Sequence, residues 1–429
     1  LRNVVRGMPA RQAALQVAHL ASDYRRRSQW DLAEATFIEL IDQYPNEPVA
    51  AEAMLWLLHL WSSSEMAWHR SRDVQMTAHV QQTSRFLING RIQRLLDAAQ
   101  KEQSDPLKTA RASTADPLAD LELVQPTPSQ DAQNWQAETH SYWRRQAIQM
   151  GQVIRQRLPE VYPAPAVTWP LASAIRREGH ARVSENLYRK HVSADPNDEV
   201  GLRASAELWV TQPVDEMPPH LGYCTWATVR PHLDGVLGDE CWLEAREILL
   251  ARGDSSSEQS VSDPIIENRA AYPSVMLSHD DQFLYIAATL PRHPASQQSR
   301  RNSPPAIQFE GRTHDADLAG FDRLKISLDT DRDYSTAYEI EIDERGLVRE
   351  SCWEDSTWNP QMWVHVDSEP TRWRIEMAIP FTELGPVAPQ RETAWAVSVT
   401  RTIPGIEWQA WPPSAVDNHQ ESKGLVQFR

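Results

Sequence analysis

The chain is short of the residue types that most often announce a chemistry. Three cysteines occur in 429 residues, Cys224, Cys241 and Cys352, with no Cys-x-x-Cys and no Cys/His pairing at metal-ligand spacing. Neither a zinc cluster nor a multi-disulfide framework can organise the fold; buried or free thiols are expected, with one disulfide as the alternative. Lysine is scarcer still relative to length, with five residues. Lys and Arg together number 43 against 59 Asp and Glu, a formal charge of -16. The imbalance sits in the C-terminal part, where residues 225–429 carry 33 acidic and 19 basic side chains, leaving 26 and 24 before them. Neutralising phosphates needs clustered cations, so nucleic acid and anionic membrane surfaces are excluded as expected partners.

Long apolar runs are absent too. No stretch approaches the 18 consecutive apolar residues of a membrane-spanning helix, and no charged-then-apolar leader opens the chain. Starting at Leu1, it reads as an excised or processed piece. There is no Gly-x-Ser-x-Gly, no phosphate-cradling glycine loop and no His-Glu-x-x-His. Carboxylate neighbours such as Glu354 and Asp355 would face opposite ways on a strand. The expectation is a protein that is not an enzyme.

What is present divides by periodicity. A hydrophobic content of 41% and a charged content of 24% are those of folded soluble protein, and the length allows two or three domains. Leu15, Ala18, Leu20 and Ala21, then Trp30, Ala33, Phe37, Ile38 and Ile41, recur at helical spacing. Tyr44-Pro45-Asn46-Glu47-Pro48 breaks the run, because each proline disfavours helix in the residue before it. A related unit has Ala172, Gly179-His180 at a turn, Leu187, Tyr188, and a closing Asp195-Pro196-Asn197-Asp198. Small residues at helix crossings, an aromatic, and a proline-bearing close are similar to tetratricopeptide-type repeats. An irregular helical bundle is the alternative. Regions 1–100 and 135–221 are therefore predicted helical, and 101–134, rich in Ala, Ser, Asp, Pro and Gln, a flexible linker or long loop.

From 222 to 429 the period becomes two. Runs such as Tyr338-Glu339-Ile340-Glu341-Ile342 and Trp373-Arg374-Ile375-Glu376-Met377 alternate apolar with charged residues, and turn residues separate them. The predicted fold is multidomain α + β: helical repeats followed by an antiparallel β-sandwich.

The order of signals in 222–429 resembles family 9 carbohydrate-binding modules and the wider DOMON-like superfamily. Asp234-Gly235, Asp239, Trp242 and Ala245 are similar to the family's opening. Asp280-Asp281-Gln282-Phe283 resembles its strand after an acidic turn. The most specific match is Trp373 to Leu384, where a strand runs into Pro380 and Phe381. The resemblance implies non-catalytic binding of a polysaccharide or glycan, with the helices as a surface for a protein partner. It also implies a bacterial protein of the periplasm, cell surface or exterior. Two readings stand as alternatives: a scaffold whose sandwich has no sugar site, and a haem-binding domain with axial ligands among His314, His365, Met276 and Met362.

A sugar site wants flat aromatic platforms beside planar polar groups. Nine of the seventeen tryptophans follow residue 225. Trp353, Trp358 and Trp363 form one group, Trp408 and Trp411 another in a Pro- and Gly-rich loop. Trp353, Trp358, Trp408, Trp411 and Arg401 are the candidate carbohydrate contacts, whereas Trp242, Trp373 and Trp395 fall at core positions. Glu376 is expected to pair with Arg401. Asp329, Asp331 and Asp333 alternate in a tight turn and are candidate ligands for calcium, the one possible cofactor.

Overall fold

The computed structural model describes residues 7–72, 90–98, 132–195, 197–214, 217–252, 272–294, 316–417 and 422–429. The linker expected at 101–134 lies outside these except for its last residues, which open a helix. The chain forms two compact units: residues 1–194 with 331–336, and residues 195–330 with 337–429.

The first unit is helical: α1 (Ala10–Arg26), α2 (Trp30–Gln43), α3 (Pro48–Ser62), α4 (Ser64–Arg72), α5 (90–98), α6 (Ala132–Arg157), α7 (Pro165–Arg177) and α8 (Ala181–Arg189). Two helix pairs consecutive in the chain, α1–α2 and α7–α8, pack together. In the second, Gly179 turns the chain at φ +92°, a conformation that favours glycine. Pro48 starts α3 at the position where a missing N–H costs nothing. Trp56 stacks on Trp30 at 6.3 Å and meets Phe37 at 4.7 Å. Glu34 is buried among them, accepting from Trp61 Nε1 at 2.7 Å and Arg70 Nη2 at 2.9 Å. Burial pushes its carboxyl up, and Arg70 opposes that shift.

The second unit begins earlier than the proline-rich boundary near 222, because α9 (Glu199–Thr211) belongs to it. Leu202 and Arg203 of α9 line a cleft with His220, Pro412 and Leu425. The strands are β1 (Leu221–Trp226), β2 (Ile248–Leu249), β3 (Ala251–Arg252), β4 (Ser274–His279), β5 (Phe283–Pro291), β6 (Arg323–Asp329), β7 (Tyr338–Asp343), β8 (Val348–Cys352), β9 (Trp363–Ser368), β10 (Arg372–Pro380), β11 (Ala394–Ile403), β12 (Glu407–Trp411) and β13 (Gly424–Phe428). Short helices α10 (Glu240–Glu244) and α11 (Phe381–Leu384) complete it. The strands join in one sheet ordered β8-β7-β6-β11-β13-β1-β4-β5-β10-β9, with β12 and β3 beside β11 and β2 beside β4. Pairing is antiparallel except at β1, which runs parallel to both β13 and β4. Parallel neighbours need a long connection, and residues 227–273 separate β1 from β4 in the sequence.

Opposite wings of this sheet pack face to face as a sandwich. Leu324, Ile326, Leu328, Ile340, Ile342, Val397 and Val399 cover one inner face; Leu284, Ile286, Trp373, Ile375, Met377 and Ile379 cover the other, all buried. Asp322, just before β6, clasps the wings. It accepts from Arg401 Nε at 2.9 Å and Nη2 at 2.6 Å on β11, and from Trp373 Nε1 at 3.0 Å on β10. Arg292 makes a second tie, to Glu344, Ser368 Oγ and the Glu369 carbonyl. At the other end Trp395, Phe428 and Phe381 meet edge to face, with His279 against Phe428.

Removing one member of a buried ion pair leaves the other charge uncompensated. Arg401→Ala is expected to destabilise the second unit by about 3–5 kcal/mol in chemical denaturation. A loss below about 1 kcal/mol would contradict the clasp.

Candidate functional site

Strand alternation decides which side chains a ligand could reach. Arg401, Val399 and Val397 point into the sandwich, so Thr402, Thr400 and Ser398 point out. Across β12, Trp408 stands opposite Thr402, and across β6, Arg323, Lys325 and Ser327 face these three. The outer face of this wing is a polar ladder of half-buried side chains, with Lys325 paired to Glu339 at 2.8 Å and Arg349 to Glu341 at 2.6 Å. Trp408 lies at its margin, 53% exposed.

The other candidate platforms are placed differently, at buried positions. Trp358 is 3% exposed and stacks on Tyr338 at 4.5 Å. Trp353 is buried, and its backbone N–H donates to the Ala337 carbonyl. Trp411 points inward opposite Val399, its ring filling the space a side chain at Gly424 would need. Arg401 is 1% exposed, and its guanidinium is engaged by Asp322, Gln409 and the Pro291 carbonyl. No face of these four is open for a sugar ring; their aromatic and guanidinium surfaces serve the core. Trp242, Trp373 and Trp395 are buried as expected.

Glu376 does not meet Arg401, because the two occupy opposite faces. It is on the outer face of β10, buried, accepting from Trp242 Nε1 at 2.7 Å, Gly235 N at 2.6 Å and Asp234 N at 3.0 Å. Burial raises its carboxyl, and these donors oppose the shift. It thereby pins residues 227–245 over the sheet, where Trp242, Cys241 and Ala227 pack on Met276, Tyr285 and Ala287. Gly235 is obligatory: at φ +82° its Cβ would lie 2.4 Å from that of Asp367.

Beside this strap is a constellation that residue spacing alone did not single out. Trp363, first residue of β9, is 52% exposed and meets Phe283 edge-on at 5.7 Å. The Arg230 guanidinium lies 4.9 Å from the Phe283 ring centroid. Arg230 bonds Asp280 at 2.8 Å and Gln282 Oε1 at 2.9 Å. Partial burial pushes the Asp280 carboxyl up, yet the N–H groups of Gln282 and Phe283, the Tyr285 hydroxyl and Arg230 outweigh it and hold it low. The available signal was the alternation Trp363-Val364-His365-Val366-Asp367, which places Trp363 on the polar side of its strand.

The three aspartates of the expected calcium turn are assigned to different units. Asp329 lies in the second unit, 3.6 Å from Lys423 Nζ. Asp331 and Asp333 belong to the first. Asp331 Oδ2 accepts from Ser64 N at 2.7 Å and Arg177 Nη1 at 2.9 Å, and its carbonyl accepts from Ser173 and Arg176. Asp333 Oδ1 takes the N–H groups of Ser335 and Thr336, and Oδ2 the hydroxyls of Thr336 and Ser62. Among the haem candidates, Met276 is in the strap cluster, Met362 is buried, His365 is exposed, and His314 lies outside the described residues. No helix among the described residues is long and apolar enough to cross a membrane.

No family model and no curated protein matches the chain. Solved structures similar to it include a carbohydrate binding module family 9 from Caldicellulosiruptor kristjanssonii in complex with cellotriose, at 14% identity and TM-score 0.32. The match covers 49% of this chain and 93% of that one. The same module in complex with glucose matches at 14% identity and TM-score 0.31, covering 49% and 95%.

Asp333 yields a prediction of opposite sign to that of an ordinary carboxylate. Burial first, then Asp331 and Glu65, hold its carboxyl well above the usual value. An acid raised on folding contributes stability that is complete below the unfolded value near 4 and is lost as pH rises toward the folded one. Asp333→Asn should therefore be tolerated at neutral pH and flatten the fall in stability from pH 4 upward, followed by thermal melting. A variant that melts far lower at pH 7 while keeping the wild-type pH slope would contradict the raised carboxyl.

Proposed function

We infer that the second unit binds neutral glycan without catalysis and that Trp408 is a principal contact. The observation carrying this reading is a large indole, half open to water, at the margin of a sheet face of threonine, serine and paired charges. Burying such an indole face against pyranose C–H groups removes apolar area from water, while Thr400, Thr402 and Arg323 offer bonds to hydroxyls. The ion pairs across β6 and β7 leave little net charge on this face, and the acidic surplus of residues 225–429 opposes anionic polysaccharide, which favours a neutral ligand. The absence of an unengaged carboxylate pair beside Trp408, among the described residues, supports binding over turnover.

In the same reading the helical hairpins are a docking or spacing surface for protein, as tetratricopeptide-type helices are, and the protein works outside the cytoplasm. The burial of Trp353, Trp358, Trp411 and Arg401 favours the second reading, a scaffold whose sandwich has no sugar site.

The test is affinity electrophoresis of the full chain through gels containing neutral glucan, xylan or mannan. Retardation in at least one gel is expected, weakened about tenfold by Trp408→Ala and unchanged by Trp358→Phe. Migration identical in all gels would leave the scaffold reading standing.

A further inference from the structure

The glycan reading extends to a second surface. We propose that Trp363, Phe283, Arg230, Asp280 and Gln282 form another glycan subsite, on the opposite outer face of the sandwich from Trp408, so that one molecule bridges two polysaccharide chains.

The two faces follow from register. Trp373 and Arg401 both reach Asp322 between the wings, which fixes the inward direction on β10 and on β11. On β10, Ile375, Met377 and Ile379 share the side of Trp373, so Ala378 points outward, and Trp363 stands opposite Ala378. On β11, Arg401 pairs with Gln409, so the neighbouring pair of Thr402 and Trp408 points outward. The two indoles therefore leave the sandwich in opposing directions, separated by at least the roughly 10 Å that divides packed sheets. A single rigid stretch of polysaccharide cannot lie on both.

The chemistry at Trp363 is that of a sugar contact. Phe283 covers only part of the indole, since their planes meet at 67° and half the tryptophan remains exposed. The resulting corner presents an indole face and continues through Phe283 to Arg230, Asp280 and Gln282. Arg230 spends Nε on Asp280 and one Nη on Gln282, and its side chain is still 53% exposed, so further N–H groups are available to hydroxyls. The Asp280–Arg230 pair preorganises the guanidinium and cancels its charge, matching a neutral ligand. An anion would have to compete with Asp280.

Two opposed sites make a cross-linker, and simultaneous engagement raises avidity without any new contact. The experiment mixes the full-length chain with the neutral polysaccharide that retards it best and follows both retardation and light scattering. Wild type is expected to retard and to build scattering aggregates that dissolve at large protein excess. Trp363→Ala and, separately, Arg230→Gln should weaken retardation several-fold and abolish the scattering, with circular dichroism unchanged. The variant carrying both Trp363→Ala and Trp408→Ala should lose retardation. Wild-type retardation and scattering that persist in both Trp363→Ala and Arg230→Gln overturn the second subsite and leave glycan binding intact. A wild type that no polysaccharide retards overturns glycan binding itself, and the second subsite with it.

Discussion

The β-unit depends on one desolvated carboxylate. Asp322 is 5% exposed, and its oxygens are filled by a guanidinium from one wing and an indole N–H from the other. A buried charge is tolerated only with such complete pairing, and each partner is in turn held by its own strand. The clasp thereby sets which way every residue of β10 and β11 points. Sheets alternate with period two, so a slip of one residue would turn the whole inner set outward.

That constraint has consequences on the solvent side. With Arg401 and Trp373 committed inward, Thr402, Trp408, Ala378 and Trp363 have only the outer faces left. On one wing the outer face is polar and half-buried. On the other a strap of residues 227–245 is laid across it and fastened by Glu376, whose oxygens take two backbone N–H groups and an indole N–H. Two acids, one inside and one outside the sheet, thus hold the two layers of structure, which is why neither is free to act on a substrate.

Much of this architecture was legible in the sequence. Strands β5, β6, β7, β10 and β11 are alternating runs, and the helix after Pro380 follows from a proline that cannot continue the sheet ladder. The helical hairpins are visible in apolar spacing and in Gly179. The site was less legible, because alternation says which residues share a face but not which face is covered. Trp353 and Trp358 occupy a turn-rich segment where an aromatic looks exposed, yet both are buried, Trp358 by stacking on Tyr338. Arg401 and Glu376 lie on strands adjacent to different partners, and only the three-dimensional closure of the wings shows that they point apart. The spacing of Asp329, Asp331 and Asp333 suits a cation, and each also has protein partners that spacing does not show: Lys423 for the first, Arg177 and Ser64 for the second, local N–H and hydroxyl groups for the third.

The central claim is that outward-facing indoles, fixed in direction by the Asp322 clasp, are the surface that meets ligand. Indole N–H resonances of the full chain, followed during titration with neutral glucan, xylan and mannan oligosaccharides, test it most directly. The signals of Trp408 and Trp363 should move with added sugar, while those of Trp373 and Trp242, bonded to Asp322 and Glu376, stay fixed. Shifts confined to the buried indoles, or none with any sugar, would contradict the account.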